Sequence, residues 1–314
     1  MQDFLKKLAP ASVASSLERR VKRLTATLNP TLEQRWERKK KSAPFTTVKT
    51  KQGIFTVSTR DDGIGKDLFC RGQYELSTID KVFKILIDNE LLPKNSPGTL
   101  LDIGANCGII SIGVLKRGYL KTAIAIEPEP LNFELLQKNI ANNHFEKQIT
   151  VLQFAVSDKA GKVSFELATN NLGDHRIRSA EQNFQPPEQF NESQREVIEV
   201  ESRPLDVILK DLPKNVNGNI ALMWMDIQGY EGQALLGAEG ILKRSIPLMV
   251  ELWPYGIIRS GFSKKIYCDL FKKHWKTVWH GQAECFVKHP VSYVEAIWDE
   301  IGEAGAYGNV ILTR

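Results

Sequence analysis

The sequence is poor in cysteine. Cys70, Cys107, Cys268 and Cys285 are all it has in 314 residues, and no two of them form a C-x-x-C pair. That scatter speaks against a disulfide framework and a cysteine zinc site, and fits reduced thiols in a cytoplasmic protein. Long apolar runs are missing as well, so no segment reads as a bilayer crossing. The first residues lack the hydrophobic core and cleavage site of a signal peptide. No internal repeat or low-complexity tract interrupts the chain. Its hydrophobic and charged fractions, 42% and 25%, are those of an ordinary globular protein, long enough to bury one large core.

Excess positive charge is absent from most of the chain. The net charge is +5, yet residues 1–44 carry +7 and residues 45–314 carry −2. The basicity therefore belongs to an N-terminal helical arm. Within it Val13, Leu17, Val21, Leu24 and Leu28 recur at helical spacing, with Arg19, Arg20, Lys22 and Arg23 mostly off that stripe. Such a helix suits packing on the body or on a second subunit, capture of an anionic acceptor, or peripheral contact with an anionic membrane. Residues 45–98 read as a hairpin, TTVKTK and IFTVSTR about Gln52-Gly53, then a helix over 74–92. The remainder, 99–314, reads as the main domain.

Its organising stretch is 99–127, TLLDIGANCGIISIGVLKRGYLKTAIAIE. An unalternating apolar run, as in a strand buried on both faces, stops at a loop holding Asp102, Gly104, Asn106 and Gly108. A helix-length apolar segment follows, then a second buried strand that ends on Glu127. Strand, glycine loop, helix, strand and acid is the layout of a nucleotide-binding half of a doubly wound sheet, the acid accepting ribose hydroxyls. A dinucleotide site wants G-x-G-x-x-G with a pyrophosphate at the helix N-terminus. Here the order is D-x-G-x-N-x-G, and an acid at the mouth suits the ammonium and sulfonium of S-adenosylmethionine better than a diphosphate.

Further strands are expected at 149–156, 162–167, 196–202, 219–227, 246–252, 277–279 and 309–313, with a short one at 285–287. Five of them, counting 99–103 and 121–126, read as parallel strands with crossovers, closed by an antiparallel terminal pair. The expected fold is α/β: a doubly wound, Rossmann-like, seven-stranded and mostly parallel sheet.

Six blocks in order carry a resemblance: LDIGANCGIISI, AIEPEPLNFELLQKNI, FAVSDKAGKVSFELA, RPLDVIL, MDIQGYEGQALLGA and IPLMVELWP. Over residues 70–314 the chain resembles FkbM-type S-adenosylmethionine-dependent methyltransferases. The resemblance implies methyl transfer to a hydroxyl of a sugar, glycolipid or secondary metabolite, and it does not reach residues 1–44. The G-A-N at 104–106 is common in that family.

Asp102, Gly104, Asn106 and Gly108 are then the expected pocket for the methionine end, Glu127 holds the ribose, and Asp158 with nearby amides holds the adenine. Asp226 ends the fourth central strand, where the methyl should lie, and so serves binding or catalysis, with Gln228 and Glu231 on the same rim. Glu251 holds the equivalent place on the fifth strand. His175, in the loop GDHRIR, is the remaining candidate for a general base. Asp226 and Glu251 alone are thin as metal ligands, and no Asp-Asn pair follows a strand, so no metal is expected. The slightly acidic body and the lack of an N-P-P-Y-like motif speak against a nucleic-acid acceptor. A nicotinamide oxidoreductase and a non-catalytic partner- or lipid-binding protein are the competing expectations.

Overall fold

Apolar residues fill successive positions of the central strands because both faces of the sheet are covered. The computed structural model describes residues 30–178, 188–281 and 286–314. Its strands are β1 (Phe45–Thr50), β2 (Gly53–Ser58), β3 (Thr99–Ile103), β4 (Thr122–Ile126), β5 (Ile149–Leu152), β6 (Ala155–Val156) and β7 (Gly161–Leu167). They continue with β8 (Arg176–Ile177), β9 (Glu196–Arg203), β10 (Ile220–Met225), β11 (Leu248–Leu252), β12 (Thr277–His280), β13 (Val287–Pro290) and β14 (Gly308–Thr313).

The main sheet is mixed, in the order β13-β12-β14-β11-β10-β3-β4-β5. The run from β11 through β10 and β3 to β5 is parallel, and the pairs of β14 with β11 and β12 and of β13 with β12 are antiparallel. It therefore has eight strands among the described residues, not the expected seven. The additional one is β13, which covers the edge that β12 would otherwise leave open.

Leu101, Ile103, Ile124, Ile126, Met223 and Val250 pack on one face; Leu100, Ala123, Ala125, Leu222, Trp224 and Met249 pack on the other. The alternation within each strand sends neighbours to opposite sides. The first face is closed by helices that include Glu231–Leu236, Lys264–His274 and Val294–Ile301. The second is closed by the β1–β2 hairpin and the helices Leu76–Asp88, Ile109–Lys116 and Pro130–Asn142.

A second sheet, β6-β9-β7-β8, lies beyond β5. The single strand expected over 149–156 divides here: β5 ends at Leu152, and Ala155 and Val156 pair instead with Ser202 and Arg203 of β9. That diversion matters for the site.

At the N-terminal side, the helix Leu32–Ser42 is opened by a capping box between Thr31 and Gln34. Its Trp36 is fully buried, stands 5.4 Å from the Phe69 ring and donates from Nε1 to Asp62 at 3.1 Å. Lys40 pairs with the same carboxylate at 2.8 Å. The basic segment is thus fastened to the body from Leu32 onward, while the stripe from Val13 to Leu28 lies outside the described residues. No helix among the described residues is long and apolar enough to cross a membrane.

Truncating a buried tryptophan costs about 3–5 kcal/mol. Trp36→Ala should lower the unfolding free energy by about that amount in urea titration. A change below about 1 kcal/mol, the scale of a surface substitution, would remove this helix from the core.

Candidate active site

Where β3, β4, β10 and β11 end at their carboxyl side, a cavity of about 290 Å3 opens. Open α/β sheets bind ligands at this edge. Its floor is set by Gly104, which has φ of +86°; an added Cβ would stand 1.9 Å from the Asp226 carbonyl oxygen. Only glycine brings the β3 loop so close to the end of β10.

Next in the loop, the Asn106 amide donates to Glu127 Oε2 at 2.8 Å, and the Glu129 amide donates to Oε1 at 2.9 Å. Each oxygen of Glu127 keeps a further lone pair, and the residue lines the cavity. The side-chain amides of Asn106 and Asn132 both donate to the Leu172 carbonyl, at 2.9 and 3.0 Å. They pin the 171–175 segment across the mouth. The Leu172 amide in turn donates to buried Asp61 at 3.3 Å, so the segment after the hairpin helps hold this cover.

The anticipated residues divide. Gly104, Asn106, Glu127, His175, Asp226 and Glu251 all line the one cavity. Asp102, Gly108 and Asp158 are not in its wall. Asp102 is buried in β3 and accepts from the Ser111 amide at 3.1 Å and its hydroxyl at 2.5 Å, tying the following helix to the sheet. Gly108 caps that helix. Asp158 is carried away by the turn of the chain into β6; its carboxylate accepts from the Ser157 hydroxyl and lies 3.7 Å from Lys159. Phe154, Ala155 and Val156 form the wall where Asp158 was expected.

Gln228 donates from Nε2 to Asp226 at 2.7 Å and to Glu251 at 3.2 Å, holding the two carboxylates side by side. Behind them, buried Glu231 accepts from the Ile227 and Gly229 amides at 3.0 and 3.3 Å and shapes the turn. Tyr74, Glu75, Trp253 and Tyr307 complete this end of the cavity. No motif or spacing points to Glu75 or Tyr307, which the fold brings in from before β3 and just before β14.

Burial dominates the electrostatics. It pushes Asp102 up to about 7, Glu231 up to about 7 and Glu127 up to about 8, against the pull of the amides that each carboxylate accepts. Asp226 and Glu251 are raised by burial too, and each disfavours the other's charge. Asp226 is open to the cavity it lines. His175 moves the opposite way: burial and then the Arg195 charge push it down to about 4. Its Nδ1 accepts from the Ala168 amide at 2.9 Å. The neutral ring therefore carries its proton on Nε2 and offers a donor, not a base. Among the described residues no three His, Cys, Asp or Glu gather as metal ligands.

These raised carboxyls give the apo protein a defined pH dependence. A group with a folded pKa above its unfolded value stabilises fully below the unfolded value, and that stability is lost as pH rises through the folded one. With Glu127 moved from 4.5 to about 8, the melting temperature should fall from about pH 5 to about pH 8. Glu127→Gln should flatten the decline in a melting series. A wild-type curve that rises across that window would contradict the burial of these acids.

Comparison with known proteins supplies the chemistry. The model of the methyltransferase FkbM domain matches residues 102–276. The methyltransferase sdnD of Sordaria araneosa is 27% identical over 209 residues, covering 59% of this chain and 80% of that protein. The crystal structure of methyltransferase FkbM from Methylobacillus flagellatus aligns at 20% identity and a TM-score of 0.32, over 61% of this chain and 44% of that one. A tRNA methyltransferase from M. jannaschii aligns at 12% identity and 0.42, over 87% of this chain and 57% of that one. The family match overturns the oxidoreductase expectation. The chain belongs to the FkbM family of methyltransferases, whose cofactor is S-adenosylmethionine.

Proposed function

We propose that the chain methylates a hydroxyl of a sugar, glycolipid or secondary metabolite, with a carboxylate of the Asp226–Glu251 pair as general base. One observation carries this reading: the Gln228-bridged pair lines the same cavity as Glu127, Gly104 and Asn106.

The donor set fits the cofactor. Glu127 has lone pairs for two ribose hydroxyls, the apolar wall at Phe154 and Val156 accommodates an adenine, and the acids suit an ammonium and a sulfonium. When bound, the cofactor supplies the methyl group as an electrophile. The protein's task is to orient the acceptor and hold its proton. Burial and mutual repulsion raise the pair toward neutrality, which matches a carboxylate to proton uptake from a hydroxyl near neutral pH. Gln228 keeps the two oxygens facing one position, and Nε2 of His175 is left as a hydrogen-bond donor.

Two experiments test this. Hydrogen bonds to a charged group contribute about 1.5–3 kcal/mol each. Glu127→Ala should therefore weaken S-adenosylmethionine at least about tenfold by calorimetry; unchanged affinity would end the ribose assignment. General-base catalysis contributes about 10²–10⁴-fold. Either Asp226→Asn or Glu251→Gln should lower the transfer of radiolabelled methyl into a glycan and metabolite extract by about that factor. The rate should fall as pH drops through the pair's raised pKa, and His175→Ala should keep that limb. A limb that disappears in the His175 variant would move the base role to the imidazole.

A further inference from the structure

Five carboxylate side chains line the cavity, Glu75, Glu127, Asp174, Asp226 and Glu251, and among the described residues no Lys or Arg does. The internal segments 179–187 and 282–285, which lie outside the described residues, contain no Lys or Arg either. Two of the five are accounted for. Glu127 is positioned for hydroxyls, and Asp174 is paired with Arg176 and Arg195. Glu75, Asp226 and Glu251 have no ion-pair partner among the described residues.

Glu251 is the most telling of the three. Only 7% of it is exposed, one oxygen accepts from Gln228, and the other has no hydrogen-bond partner among the described residues although the residue lines the cavity. A buried carboxyl without a cation either keeps its proton or meets a cation that a ligand brings. Tyr74 and Tyr307 line the same cavity, as does Trp253, whose ring lies against the Arg176 guanidinium. The two tyrosines and the three acids line one cavity, and burial and then the charges of those acids raise both phenols. Aromatic faces beside carboxylates make a site for an organic cation. Tyr74, Glu75 and Tyr307 also lie outside the segment 102–276 that the family model matches.

We propose that the acceptor carries a protonated amine beside the hydroxyl that is methylated, as an amino sugar or amino alcohol does, and that Glu75 and Glu251 bind it beside Tyr74 and Tyr307. This rests on the methyltransferase reading above and narrows its acceptor. The ammonium is a handle and not the nucleophile, because it has no free lone pair. An anionic acceptor, such as a phosphorylated sugar or a nucleic acid, finds no Lys or Arg in this lining among the described residues.

The test needs no identified acceptor. With the site saturated by S-adenosylhomocysteine, benzylammonium, benzyl alcohol and benzoate are titrated by ligand-observed NMR. Benzylammonium should bind at least about tenfold tighter than benzyl alcohol, and benzoate should not bind. The preference should weaken with salt and shrink in both Glu251→Gln and Glu75→Gln, each checked for a retained cooperative melt and retained S-adenosylhomocysteine binding. Glu75, on the turn before the helix Leu76–Asp88, keeps the test available if Glu251→Gln fails to fold. Equal binding of the amine and the alcohol, or no saturable binding of the amine, overturns the proposal. So does amine binding that vanishes when S-adenosylhomocysteine is present, since the carboxylates would then serve the cofactor's own ammonium. Failure of S-adenosylhomocysteine itself to bind would instead count against the methyltransferase reading.

Discussion

Taking carboxylates out of water is the constraint on which this structure depends. At the carboxyl edge of the sheet the same device recurs: a buried acid accepts backbone amides and thereby fixes a loop. Glu127 holds the β3 loop through Asn106, Glu231 holds the turn after β10 through Ile227 and Gly229, and Asp61 holds the turn after β2 through Gly63 and Gly65. Asp102 does the same for the helix after β3. Each acid gains charge-assisted hydrogen bonds when ionised and loses hydration, and in all four the lost hydration outweighs those bonds. The result is a rigid rim whose acids are drawn toward the neutral form.

That rim is extended by a second network. Arg176, 2% exposed, pairs with Asp174 and Glu192 and lies over the rings of Phe190 and Trp253 at 5.3 and 4.7 Å. Glu192 accepts from the Tyr255 hydroxyl at 2.7 Å, and Arg259 reaches buried Glu166 of β7 at 2.7 Å. The second sheet is thereby joined to the helix that follows β11. Trp253 and Asp174 consequently meet the cavity from a fixed base, which is what precise positioning of an acceptor requires.

Much of the site is legible in the sequence because it is local. A strand, a tight loop and an acid 25 residues after Asp102 are all set by short-range pattern, and Gly104, Asn106 and Glu127 fall together as the spacing implies. Asp102 misleads for a physical reason: a carboxylate at a strand end looks the same in sequence whether it faces a ligand or the next helix. Asp158 misleads because the chain leaves the main sheet at Gln153–Phe154, and a two-residue strand such as β6 has no periodicity to detect. Glu75 and Tyr307 are invisible in the sequence because only tertiary folding brings them to Glu251. His175 does stand at the mouth as its loop suggests, but its backbone partner at Ala168, which fixes the tautomer, is not encoded by spacing.

On this account burial draws Glu127, Asp226 and Glu251 toward the neutral form, and a hydroxyl-bearing, cationic cofactor shifts the balance back to the charged form. Calorimetry of S-adenosylmethionine binding at pH 7 in buffers of different ionisation enthalpy measures this directly. Hydrogen bonds from hydroxyls to Glu127 and a cation beside Asp226 both favour the ionised acid. The predicted result is net proton release on binding, reduced in Glu127→Gln. Binding heats independent of the buffer, or a net uptake of protons, would contradict it.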